Sequence, residues 1–145
     1  MPTVSRTFTV TAPPHQVLDY LRDFSHAEAW DPGTQTCTRI DDGPLTVGSK
    51  WHNVSKILGV STELTYTLKE STDTRLVFEG TNNTATSVDT IVVQPTVNGA
   101  QIDYRADLTM HGLAAMTAPA MKVLFEKIAG DTKNQMTQVL NKLPA

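Results

Sequence analysis

The sequence predicts an α+β fold: a curved, seven-stranded antiparallel sheet wrapped on a long C-terminal helix, with two short helices after the first strand. Three observations carry this. Short segments of period-two alternation recur from Val4 to Met110, separated by polar turns. A sustained helical period is confined to the last thirty or so residues. The connections between the alternating segments read as hairpins, which join antiparallel neighbours.

The first strand is Val4-Ser5-Arg6-Thr7-Phe8-Thr9-Val10-Thr11, which alternates strictly and stops at Ala12-Pro13-Pro14. Pro14 suits the first turn of a helix, where no N–H donor is needed. Val17, Leu18 and Leu21 then recur at helical spacing. A second short helical turn over residues 25–29 ends at Trp30-Asp31-Pro32-Gly33, a strong turn signal. Strands follow at residues 36–41, 50–57, 62–69, 75–80, 84–94 and 101–110. The last two are joined around Val97-Asn98-Gly99, a tight hairpin signal. From Pro119 to Leu143 the apolar positions Met121, Leu124, Phe125, Ile128, Met136, Val139, Leu140 and Leu143 form one stripe of an amphipathic helix. At 1.5 Å per residue that helix spans roughly 37 Å, enough to cross a sheet. Gly130 lowers helix propensity in its middle by about 1 kcal/mol, so a bend is expected there.

The 145 residues read as one domain, with no internal repeat, low-complexity tract or linker. Net charge is −3 and no window is crowded with Lys or Arg, which argues against nucleic acid as a partner. The N-terminus is not a signal peptide, and no apolar run of about 18 residues exists to insert into a membrane. The single cysteine, Cys37, fits a reducing compartment, so a cytoplasmic location is expected. A homodimer is left open.

A sheet with one apolar face must cover it, and the terminal helix is the only large cover available. A strongly curved sheet around one helix leaves a gap suited to a small molecule. Parity points Ile102, Tyr104, Ala106, Leu108 and Met110 inward on the last strand, and Thr62, Leu64, Tyr66 and Leu68 on the 62–69 strand. Leu76 and Phe78 follow, then Trp51, Asn53, Ser55 and Ile57 on the 50–57 strand. Phe8 and Val10 are inward on the first strand, which puts Arg6 on the same face, at its rim. The expected ligand-lining set is Trp51, Asn53, Tyr66, Phe78, Tyr104, Leu124 and Phe125. The plain alternative for the two tyrosines is ordinary core packing.

Catalytic signals are weak. The four histidines, His15, His26, His52 and His111, show no metal-ligand spacing, and one cysteine cannot complete a zinc set. No metal and no cofactor are implied. No Gly-x-Ser-x-Gly elbow or phosphate loop is present. Asp31, Asp41 and Asp42 read as solvated turn carboxylates, and Cys37 as an unactivated thiol. No catalytic residue can be assigned from motifs. If the chain turns over a substrate, Tyr66, Tyr104 and Asn53 are the candidates for stabilising an enolate, with His52 only on the opposite parity.

Phe8-Thr9-Val10-Thr11-Ala12-Pro13-Pro14-His15-Gln16-Val17, then Leu21-Arg22-Asp23-Phe24 and Trp30-Asp31-Pro32, resembles the opening of the START/Bet v 1-like (SRPBCC) superfamily. Within it the sequence looks similar to the bacterial polyketide cyclase/dehydrase-like group. Gly48-Ser49-Lys50-Trp51, Arg75-Leu76-Val77-Phe78-Glu79, Gly112 and Pro119 also fit. The resemblance implies a helix-grip fold with an internal cavity for lipids, polyketides or other hydrophobic molecules. The expected function is binding or carriage of a small hydrophobic molecule. The alternatives are a cyclase, aromatase or dehydratase acting in the same cavity, and a regulatory or protein-interaction module.

Overall fold

Alternating residues build the expected seven-stranded antiparallel sheet. A computed structural model describes residues 3–57, 60–111 and 118–143, the side chains of 57, 60, 118–122, 124 and 125 excepted. Its strands are β1 (Thr3–Val10), β2 (Thr34–Arg39), β3 (Lys50–Ile57), β4 (Val60–Ser71), β5 (Arg75–Thr81), β6 (Ala85–Thr96) and β7 (Gly99–Met110). They form one antiparallel sheet in the order β1-β7-β6-β5-β4-β3-β2. The first strand thus pairs with the last, and the rest is a meander.

Several boundaries differ from the sequence reading, and two of them have a plain physical cause. β2 begins at Thr34 rather than at residue 36, because the Asp31 carboxylate accepts from the Gly33 N–H (3.1 Å) and the Thr34 hydroxyl (2.9 Å), turning the chain early. The β6–β7 hairpin extends to Thr96 opposite Gly99, because its turn needs only Val97 and Asn98. Gly99 is required by space: a Cβ there would lie 2.0 Å from the Val10 carbonyl oxygen.

Two bodies cover the inward face. The first is α1 (Pro14–Arg22), a 3₁₀ turn (Phe24–His26) and α2 (Ala27–Trp30), in place of the two short helices expected. Val17, Leu18, Leu21, Phe24 and Trp30 are buried against the sheet. Phe24 is the hub, with ring centroids 4.4 Å from Tyr66, 4.6 Å from Phe78, 5.8 Å from Trp30 and 6.1 Å from Trp51. Such aromatic pairs add about 0.5–1.5 kcal/mol each beyond area burial.

The second body is α3 (Ala118–Asn141), helical without interruption through Gly130. It lies along β1. Arg6, on the inward parity and half-buried as expected, donates to the Glu126 carbonyl (2.8 Å) and pairs with its carboxylate (3.5 Å). At the other end the Asn141 side chain accepts from the Thr11 N–H at 2.9 Å. Ala129, Thr132, Met136 and Leu140 form its buried stripe. No helix among the described residues is long and apolar enough to cross a membrane.

A Cβ added at Gly130 meets nothing within 4 Å. Gly130→Ala should therefore raise stability by about 0.5–1 kcal/mol through helix propensity and a less flexible unfolded chain. A higher urea midpoint at unchanged slope is the expected result; a lower midpoint would contradict the open space at this position.

Candidate functional site

Small side chains at adjoining inward positions leave a hollow between the sheet and α3. Strand register aligns Leu108 with Ser87, and Gly80 with Ser87 and Tyr66. The next row aligns Val4 with Ala106, and Asp89 with Ala106 and Phe78. Ala85, Ser87, Ala106 and Ala129 are therefore short where neighbouring rows carry Ile, Leu and Phe. The cavity they leave measures about 210 Å³. Its apolar wall includes Leu64, Leu108, Met110 and Ile128.

The polar side is a connected group on β4, β6 and β7. Tyr104 donates its hydroxyl to Asp89 Oδ2 at 3.1 Å, and the Ser87 hydroxyl donates to Oδ1 at 3.3 Å. The Tyr66 side chain hydrogen-bonds Ser87. Gly80 makes this possible, because a Cβ there would lie 2.6–2.7 Å from the Tyr66 ring. The ring lies flat over the glycine and reaches across β5 toward β6.

Asp89 is 4% exposed. Burial, then the negative charge of Asp31, pushes its carboxyl up to about 7. Burial, then the charge of Asp89, raises both tyrosine hydroxyls well above their ordinary value, so both remain donors. Asp31 also lines the cavity, and burial raises it as well. This corrects the reading of Asp31 as a solvated turn residue: it holds the turn and faces the hollow together. Beside Tyr104, at 6.2 Å between ring centroids, lies the buried Trp30 indole, whose N–H has no partner among the described residues.

Of the residues expected at the ligand, Tyr66 and Tyr104 line the cavity. Trp51, Asn53 and Phe78 are buried in the half packed under the short helices. The Trp51 indole donates to Asp23 at 3.2 Å. Burial pushes Asp23 upward, but the Ser25 hydroxyl and N–H and that indole hold it below the ordinary carboxylate range. Asn53 donates to Thr34 (3.1 Å) and accepts from Ser55 (2.7 Å). It also bonds the Cys37 thiol, which burial pushes up to about 12 and leaves unreactive. The side chains of Leu124 and Phe125 lie outside the described residues.

Sequence reasoning missed Ser87 and Asp89. Asp89 shares parity with Ile91 and Val93, but Val88 and Val92 on the other parity leave its face undecided from sequence. Histidines take no part among the described lining residues: His26 stacks on Tyr20 at 4.0 Å, and His52 faces outward onto Glu63 at 2.8 Å. No three His, Cys, Asp or Glu residues among those described gather closely enough to hold a metal.

This fold occurs in known proteins. The family profile described as polyketide cyclase / dehydrase and lipid transport matches residues 1–143. The chain belongs to that family. No curated protein matches it in sequence. Among solved structures, an aromatase/cyclase of a Streptomyces species superposes with a TM-score of 0.79 at 12% identity, over 97% of this chain and 93% of that one. A Thermus thermophilus protein gives 0.80 at 11% identity, over 96% and 97% of the two chains. A START superfamily protein of Mycobacterium smegmatis gives 0.68 at 16% identity, over 96% and 94%. At such identities these likenesses show the fold alone.

Two outcomes test this geometry. Gly80→Ala should destabilise by about 1–3 kcal/mol through overpacking against Tyr66. Much of that loss should vanish when Tyr66→Ala is combined with it, a coupling read from a double-mutant cycle in urea; full additivity would separate the two residues. The second concerns pH. Asp89 is 3.8 in its ordinary state and about 7 when folded. The folded state therefore holds the extra proton, and stability should fall as pH rises from about 4 to about 7, then level. Asp89→Asn should remove that slope from the unfolding free energy; an unchanged slope would place the titration elsewhere.

Proposed function

We propose that this chain is a single ligand-binding domain that binds and carries a compact, mostly apolar molecule bearing a polar group, in the cavity beneath α3. The observation that carries the reading is the cavity itself: apolar walls from Leu64, Leu108 and Ile128, with Asp89, Tyr104 and Tyr66 gathered on one side. Ligand sites combine these features, a mostly apolar concavity and a few convergent polar groups. The volume of about 210 Å³ is below the roughly 300–1,000 Å³ of sites for drug-sized molecules, which favours a small ligand. The family description, which includes lipid transport, supports carriage.

In this reading Tyr66 and Tyr104 contact the ligand. Trp51, Asn53 and Phe78 hold the wall behind them. A cytoplasmic location fits the one free cysteine, Cys37, and the reading requires no nucleic acid and no second copy.

A second reading has one specific observation in its favour. Asp89 titrates at about 7 and is bonded to a tyrosine hydroxyl, as a general base working near neutrality requires. The same cavity would then serve a cyclase or dehydratase, as the family description also allows. Turnover of a ketone-rich substrate that disappears in Asp89→Asn and Tyr104→Phe would favour catalysis over carriage.

Binding is tested by titrating small lipophilic compounds while following tryptophan emission, since Trp30 packs on Tyr104. A saturable change is expected. Ala106→Phe, which fills the hollow, should weaken it at least about tenfold, equivalent to 1.4 kcal/mol. No saturable change across a broad panel, or undiminished binding in the filled variant, would remove the reading.

A further inference from the structure

The cavity's charge is unbalanced. Asp89 and Asp31 both line it, while no Lys, Arg or His is among its described lining residues. The ion pairs formed by described residues lie elsewhere, and none includes Asp31 or Asp89. The partners of the two carboxylates are neutral donors: Ser87 and Tyr104 hydroxyls for Asp89, the Gly33 N–H and Thr34 hydroxyl for Asp31. A carboxylate offers about four lone-pair sites, so Asp89 keeps acceptor capacity beyond those two bonds.

A buried carboxylate without a counter-charge is costly, and a ligand that brings the missing charge recovers that cost on binding. Two negative groups in one small space repel a second anion. Tyr66 and Tyr104 border the same space. A carboxylate with spare acceptor sites beside an apolar wall is the chemistry that recognises an ammonium group on a hydrophobic body. A metal ion fits less well, because no third carboxylate, thiol or imidazole joins the pair among the described residues.

We propose that the cavity takes a compact organic amine, its protonated nitrogen paired with Asp89 and its apolar body against Leu64, Leu108 and Ile128, and that it rejects hydrophobic acids. This deepens the binding reading and rests on it. Asp89 is the residue that sets the preference, with Asp31 adding to the field. Because burial and Asp31 raise Asp89 to about 7, the carboxylate is ionised above neutral pH, where the preference should be largest. The titratable groups facing Asp89 are Asp31 from the turn after α2, Tyr66 from β4 and Tyr104 from β7, with Asp107 on β7 adding a weaker field. The described α3 side chains at the cavity, Ile128, Ala129 and Thr132, carry no charge.

The test is calorimetric titration at pH 8 with three probes of matched shape: 2-phenylethylamine, 2-phenylethanol and phenylacetate. The amine is expected to bind at least about tenfold more tightly than the alcohol, a difference of 1.4 kcal/mol, and phenylacetate most weakly. In Asp89→Asn, shown by its melting curve to be folded, the amine-to-alcohol ratio should fall to about threefold or less. Asp31→Asn should lower the ratio by a smaller factor. Equal binding of amine and alcohol, a preference that survives Asp89→Asn, or phenylacetate binding as tightly as the amine would overturn this inference while leaving hydrophobic binding intact. Failure of all three probes to bind would remove the binding reading and this inference with it.

Discussion

The structure depends on how one apolar sheet face is shared between two unequal covers. The short helical segments between Pro14 and Trp30 bring large rings to one half of the face, and those rings interlock around Phe24. The long helix α3 covers the other half from β1, held by Arg6 near its middle and by Thr11 at its end. Helix α3 brings Ala129 and Thr132 to the cavity, and the strands beneath bring Ala85, Ser87 and Ala106. One half is therefore filled by side chains and the other is hollow. Close packing elsewhere makes the hollow persist, since interiors do not flow to fill voids.

The same division explains the polar group. A serine, an aspartate and two tyrosines on the inward face would be expensive in the packed half, where each would need an internal partner. Beside the hollow they partner one another, and spare acceptor sites remain on Asp89. Gly80 is the small change on which this turns: without a Cβ, it lets Tyr66 cross β5 to meet Ser87. The electrostatic consequence follows from position rather than from any motif. Burial, and then the negative charge of Asp31, raises the affinity of Asp89 for a proton.

Much of the fold was legible in the sequence. The alternation from Ile102 to Met110 assigned the inward face of β7 correctly, and the stripe through Ile128, Met136 and Leu140 defined α3. Arg6 at the rim was legible too, because parity left it no other place. The chemical side of the cavity was not legible, for two reasons. Both parities of β6 carry branched apolar residues, Val88 and Val92 on one and Ile91 and Val93 on the other, so alternation alone could not say which face Asp89 occupies. Asp31 was fully accounted for by its turn, and nothing local reveals that the same carboxylate faces a hollow. The hollow itself is a property of register: Gly80, Ser87, Ala106 and Ala129 are scattered along the chain and become neighbours only when four elements align.

The most direct measurement is a crystal structure of the chain pressurised with xenon, which enters apolar cavities that side chains leave unfilled. This account places a xenon atom beneath α3, in contact with Leu64, Leu108 and Ile128. A solid interior at that position, with no xenon and the tyrosine rings collapsed onto α3, would contradict it.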